Sequence, residues 1–220
     1  MTRFPARHEV PEFSVFASLL RMTTKYGFND VRGQLLKDLE GAYPTKWEDF
    51  KAAKVLGEAV FGSPRPHPNS VLNLFEAQDV RFAIPFAAYR ASAGDFSALM
   101  SDEPGTVLSR RTLATTIRGM LVTSAARVIA YGGCLPMCPD EACIFNAGID
   151  PMAKRMAVLD KIYTSNVGEG ESGVLSPPSL GDLPCAKCAG FVEVIYDPWG
   201  SVYWENLPQV FGVSDSWDDL

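Results

Sequence analysis

Two apolar stripes at helical spacing, joined by almost nothing, constrain this chain more than any other feature. In EFSVFASLLRMTTKYG, Phe13, Phe16 and Leu20, together with Val15, Leu19, Met22 and Tyr26, recur at three- and four-residue intervals and give one helix a wide apolar arc. In NDVRGQLLKDLEGAYP, Val31, Leu35, Leu36 and Leu39 share a face while Arg32, Lys37, Asp38 and Glu40 stay in water. Gly27 stops the first helix, Asn29 is expected to cap the second, and Pro44 ends the segment. Two amphipathic helices with so short a joint cover their stripes by folding back as a hairpin. Thr45-Lys46-Trp47-Glu48 is predicted to be a capping box that opens a third, shorter helix.

The same periodicity continues along the chain. The proline-rich stretch GSPRPHPNS (62–70) is expected to be a loop. VLNLFEAQDVRFAIPFAAYRASA then holds two helices, with Pro85 in the first turn of the second. SRRTLATTIRGMLVTSAARVIAYGG predicts a long helix with Leu113, Ile117, Met120, Leu121 and Val128 as its stripe and Gly132-Gly133 as its end. A cysteine loop, CLPMCPDEAC, follows, then a further helix in DPMAKRMAVLDKIYT and a Gly/Ser/Pro-rich loop at 166–182. FVEVIY (191–196) suits a strand or a buried helix segment; helix is favoured because no partner strand is visible. The predicted architecture is all-α: an N-terminal tail at 1–12 and one helical domain over 13–220. Within it, 13–61 form the hairpin and short helix, 71–133 the central helices, and 134–220 the cysteine loop and C-terminal helices.

Composition narrows the function. Of 220 residues 47% are apolar, ample for a core. A net charge of −6 with no basic run disfavours a nucleic-acid or anionic-membrane surface. No stretch is long and apolar enough to span a bilayer, and no secretory signal is evident. Five cysteines, an odd number, fit a reducing intracellular compartment, cytoplasmic or nuclear, better than a disulfide framework.

Few motifs carry chemistry. Gly168-Glu169-Gly170-Glu171-Ser172-Gly173 matches a dinucleotide-binding spacing, but it is flanked by loop on both sides, and its glutamates would repel phosphate. His8 and His67, the two histidines, fall in tail and loop, so histidine-based catalysis has little support. The cysteines remain. Cys138 and Cys143, then Cys185 and Cys188, form two pairs that could each offer two thiolates to one tetrahedral Zn2+, with Cys134 able to stand in for Cys138. The alternatives are buried or free thiols, and a redox couple of Cys185 and Cys188, whose usual strand-and-helix setting is missing.

Several segments taken in order resemble the helical, BACK-like region that follows the BTB/POZ domain in a large family of proteins from mushroom-type fungi. The positions that match are Leu19, Leu20, Lys25, Tyr26, Arg32, Leu36, Leu39, Tyr43, Pro44 and Thr45; then Ile84, Pro85, Ala87, Ala88 and Tyr89; and finally Cys185-x-x-Cys188, YWENLP (203–208), Phe211-Gly212 and Trp217. The resemblance implies a non-catalytic protein-binding scaffold, docking on a BTB domain or on itself, with a common structural use of Cys138, Cys143, Cys185 and Cys188. Only the tail at 1–12 precedes the first helix, so the BTB domain is expected to be missing, and with it dimerisation and any contact to a cullin-type ligase. The loop at 62–70 also lengthens the spacing between the early helices relative to the family. Two rivals from other classes are a thiol-dependent oxidoreductase using Cys185 and Cys188, and a zinc-stabilised nucleic-acid-binding module.

Overall fold

Helix α1 (Phe13–Tyr26) stops where predicted, at Gly27, whose φ of 68° is a conformation that side chains rarely adopt. The Gly27 and Phe28 amides both close on the Thr23 carbonyl, a glycine C-cap that turns the chain back toward α2 (Asn29–Glu40). The structure, a computed structural model, describes residues 12–53, 61, 65–93, 96–134 and 197–220, for Ala53 and 127–134 the backbone alone. Every regular element among the described residues is helical, so the fold is all-α as the periodicity predicts.

Several boundaries differ from the sequence reading, each for a local reason. Asn29 does not cap α2: the glycine turn uses Phe28 as the flanking residue, which places Asn29 already inside the helix. Thr45 does not open α3 (Trp47–Ala53), because the helix begins one residue too late for it. Its carbonyl instead accepts from Trp204 Nε1 at 2.9 Å. The proline-rich loop yields its last residues to α4 (Pro68–Ala77): Pro68 takes the first helical position, and His67 Nδ1 accepts from the Asn69 amide at 3.2 Å. His67 is therefore a helix cap and not a free loop side chain. A 3-10 turn (Arg81–Ala83) leads into α5 (Ile84–Ala93), followed by the short α6 (Phe96–Leu99).

Helix α7 (Arg110–Cys134) runs through Gly132-Gly133, so these glycines do not end it, and the backbone of Cys134 is helical. Its predicted stripe lies on the edge of the buried face: Leu113 and Ile117 pack against the core, and the side chain of Val128 lies outside the described residues. Leu121 is 63% exposed, Leu113, Ile117 and Met120 are half-buried, and the buried positions are Thr112, Thr116, Gly119 and Thr123. Each threonine hydroxyl finds a partner: Thr112 donates to Glu76 Oε2 of α4 at 2.7 Å, Thr116 to the Thr112 carbonyl at 2.8 Å, and Thr123 pairs with the Tyr203 hydroxyl. A hydrogen-bonded threonine face can be buried as readily as an apolar one.

The core centres on α5, where Phe86, Ala87, Ala88, Tyr89 and Ala91 are all buried. Its alanines let α4 and α7 pack close on either side. The C-terminal segment, α8 (197–205), α9 (Leu207–Val210) and a last 3-10 turn (Trp217–Asp219), returns to the N-terminal half and is latched there by tryptophans. The Trp204 ring stacks on Phe50 at 4.6 Å and on Trp217 at 5.5 Å, and Trp217 Nε1 donates to the Trp204 carbonyl at 2.8 Å. Trp47 Nε1 donates to Asp197 Oδ1 at 2.9 Å, while Gly200 lies so close to the Trp47 ring that an added Cβ would meet it at 2.5 Å. Full burial of each such large apolar side chain contributes about 1.5–3 kcal/mol.

Candidate functional site

The wide apolar arc of α1 is in fact two faces. Phe16, Ala17, Leu20 and Thr23 turn into the core, with Phe13 packed at its edge. Val15, Leu19, Met22 and Tyr26 lie about 120° around the helix from that face, at 100° per residue, in a straight outward stripe. Leu19 is half-buried, whereas Val15, Met22 and Tyr26 are 49–59% exposed. The stripe carries on over the joint to Phe28, 55% exposed, whose ring lies 6.1 Å from that of Tyr26. On α2 Val31 also stays at the surface, while Leu35 and Leu36 pack against the core and Leu39 is fully buried. Lys25 rests its ammonium over the Tyr26 ring, 5.4 Å from its centre, so a cation borders the apolar strip.

An apolar core contact needs only one stripe, and among the described residues nothing covers the second one beside it on the same helix. The signal was present in the sequence as an arc too wide for a single contact. What spacing could not say was which half would be buried.

Among the described residues, Lys51, Asp197 and Tyr203 are ionisable groups perturbed where the C-terminal segment meets the rest of the fold. Lys51 Nζ reaches Asp197 Oδ1 at 2.7 Å and Glu48 Oε1 at 3.0 Å, a surface cluster joining α3 to α8. The Asp197 hydrogen bond raises the Lys51 pKa, and the Lys51 and Trp47 hydrogen bonds lower that of Asp197. Burial pushes the Tyr203 hydroxyl up to about 12, opposed by its bond to Thr123.

The predicted metal ligands Cys138, Cys143, Cys185 and Cys188 lie outside the described residues, as do His8, the glycine motif at 168–173 and the segment 191–196. Cys134 is described only in its backbone, at the end of α7. Among the described residues no group of three or more His, Cys, Asp or Glu side chains converges as a metal site, and no helix is long and apolar enough to cross a membrane. No family model matches the chain, and neither a curated protein nor a solved structure matches it significantly.

Proposed function

We propose that this chain is a non-catalytic protein-binding module that works through the outer face of the α1–α2 hairpin. The observation that carries the reading is the straight stripe of exposed Val15, Met22 and Tyr26 with half-buried Leu19, extended by Phe28, uncovered among the described residues while Phe16, Ala17 and Leu20 of the same helix meet the core. Burying three or four such side chains against a partner offers several kcal/mol, at about 25 cal/mol per Å2 of apolar area. The partner is a protein with a complementary apolar surface. In the BTB-like setting that the sequence resembles, this is the hairpin a BTB domain would cover; in the chain by itself, a second copy takes that place. The reading extends to one structural Zn2+ on Cys138, Cys143, Cys185 and Cys188, supported by their paired spacing, and to work inside the cell, supported by the odd thiol count.

Light scattering on the size-fractionated protein tests the face directly. Concentration-dependent association and binding of a hydrophobic dye are expected, with Met22→Glu and Tyr26→Glu each returning a monomer and lowering dye binding. A clean monomer that leaves the dye dark sinks the proposal.

A further inference from the structure

The outward stripe of α1 has the spacing of a helix-pairing seam. From Val15 the steps are four, three and four residues to Leu19, Met22 and Tyr26. That alternation averages about 3.5 residues and keeps one line facing a single neighbouring helix. Val15, Met22 and Tyr26 are exposed and Leu19 is half-buried, and among the described residues nothing covers the line. Three residues before Val15 the line reaches Glu12, exposed at the start of the helix. Lys25 flanks the other end, its ammonium 5.4 Å from the centre of the Tyr26 ring. Opposite charges thus stand at the two ends of an apolar line about 16 Å long, at 1.5 Å of rise per residue.

Such a line fits a second copy of itself in one direction. Laid parallel, two copies set Glu12 against Glu12 and Lys25 against Lys25, and stack the bulky Tyr26 on itself while Val15 meets only Val15. Laid antiparallel about a two-fold axis, Leu19 meets Met22 and Val15 meets Tyr26, so all four layers are filled and the outer two pair small with large. Glu12 of each copy then approaches the end that carries Lys25 of the other, and the two helix dipoles run opposed. The surface this face requires is apolar, with a cation where Glu12 lands and an acid where Lys25 lands. The face itself supplies that surface.

We propose that the protein forms a two-fold dimer through antiparallel α1 helices, Leu19 packing on Met22 of the partner subunit, Val15 on Tyr26 of the partner subunit, and Glu12–Lys25 contacts closing both ends. The proposal rests on the hairpin face being the binding surface, and adds the occupant and its direction. One helix face buries less than the roughly 1,200 Å2 at which standard interfaces begin, so the dimer is weak and forms with concentration.

The test places photoreactive p-benzoylphenylalanine at position 26 of the full chain and irradiates at a concentration where light scattering shows association. The covalent dimer is then isolated and its tryptic peptides are mapped by mass spectrometry. Attachment to peptide 8–21, which holds Val15, is expected; a second label at position 15 should attach to peptide 26–32. Glu12→Lys and Lys25→Glu should each weaken the dimer about three- to tenfold at low salt, and the double variant should recover, whereas a parallel dimer would be indifferent to all three. Label 26 joined to 26–32, or to any peptide other than 8–21, overturns the antiparallel pairing and leaves the hairpin face as a surface for another protein. Charge swaps without effect overturn it as well. So does a monomer at every concentration: if that monomer binds the hydrophobic dye the face survives as a binding surface, and if the dye stays dark both readings fall.

Discussion

Tyr43 and Tyr203 differ in their partners but share one thermodynamic consequence. Each is buried, and each phenol is pushed from 10.0 to about 12 in the folded chain, Tyr43 by burial against a weaker pull from Arg90 and Tyr203 by burial against its bond to Thr123. Below pH 10 both phenols are protonated whether the chain is folded or not, and the contribution to stability is whole. As pH rises from 10 toward 12 the unfolded chain releases these protons while the folded chain keeps them, so stability falls. The loss approaches about 2–3 kcal/mol per tyrosine at the top of that window. Urea midpoints measured across it should drop steeply for the parent and distinctly less for Tyr43→Phe/Tyr203→Phe. A parallel drop in both proteins would show that other groups dominate. Neither burial was legible locally: in the sequence Tyr43 is one residue of a family-like Tyr-Pro-Thr close, and its neighbours Phe75 and Phe86 come from helices further along.

At the scale of elements, α7 shows how periodicity can find a helix and set its buried face one position off, with Leu113 and Ile117 only at the edge of the core. Its extent was readable from the spacing of Leu113, Ile117, Met120 and Leu121, yet the buried line is Thr112, Thr116, Gly119 and Thr123. Reading apolar as buried fails when hydroxyls have partners inside and a glycine admits a ring. Gly119 is the decisive position: a Cβ there would stand 2.1 Å from the Phe211 ring, which follows α9. Gly119→Ala is expected to destabilise by about 1–3 kcal/mol through overpacking, despite alanine's better helix propensity. Gly33→Ala on α2, where nothing lies within 4 Å, should instead stabilise by about 0.5–1 kcal/mol. Chemical denaturation of the two variants checks both signs, and a neutral Gly119→Ala would mean that Phe211 has room to move away.

For the whole molecule, the question is what ties the two ends together. Trp204, Trp217 and Asp197 clamp the last segment onto α3 from far along the chain. The proposed zinc site on Cys138, Cys143, Cys185 and Cys188 would be a second clamp, linking the stretch after α7 to the stretch before α8. Elemental analysis of protein purified without a metal-affinity tag should find one zinc per chain. Chelation should release four thiols and lower the helicity together. Five freely titrating thiols and no metal would remove the clamp and leave the tryptophan latch alone.

Among the described residues, the sequence by itself determined where helices would form and where several would stop, because hydrophobic spacing, Gly27 and the prolines act through nearest neighbours along the chain. It also disclosed an arc on α1 wider than one core contact could use. The tertiary structure alone decided which side of that arc met the core, that α7 buries threonines, and that Tyr43 is held between Phe75 and Phe86. Those outcomes depend on what arrives from distant parts of the chain: the carboxylate of Asp197 reaches the indole of Trp47 across 150 residues. No local spacing encodes such a meeting, because its energy exists only once both surfaces have been brought together.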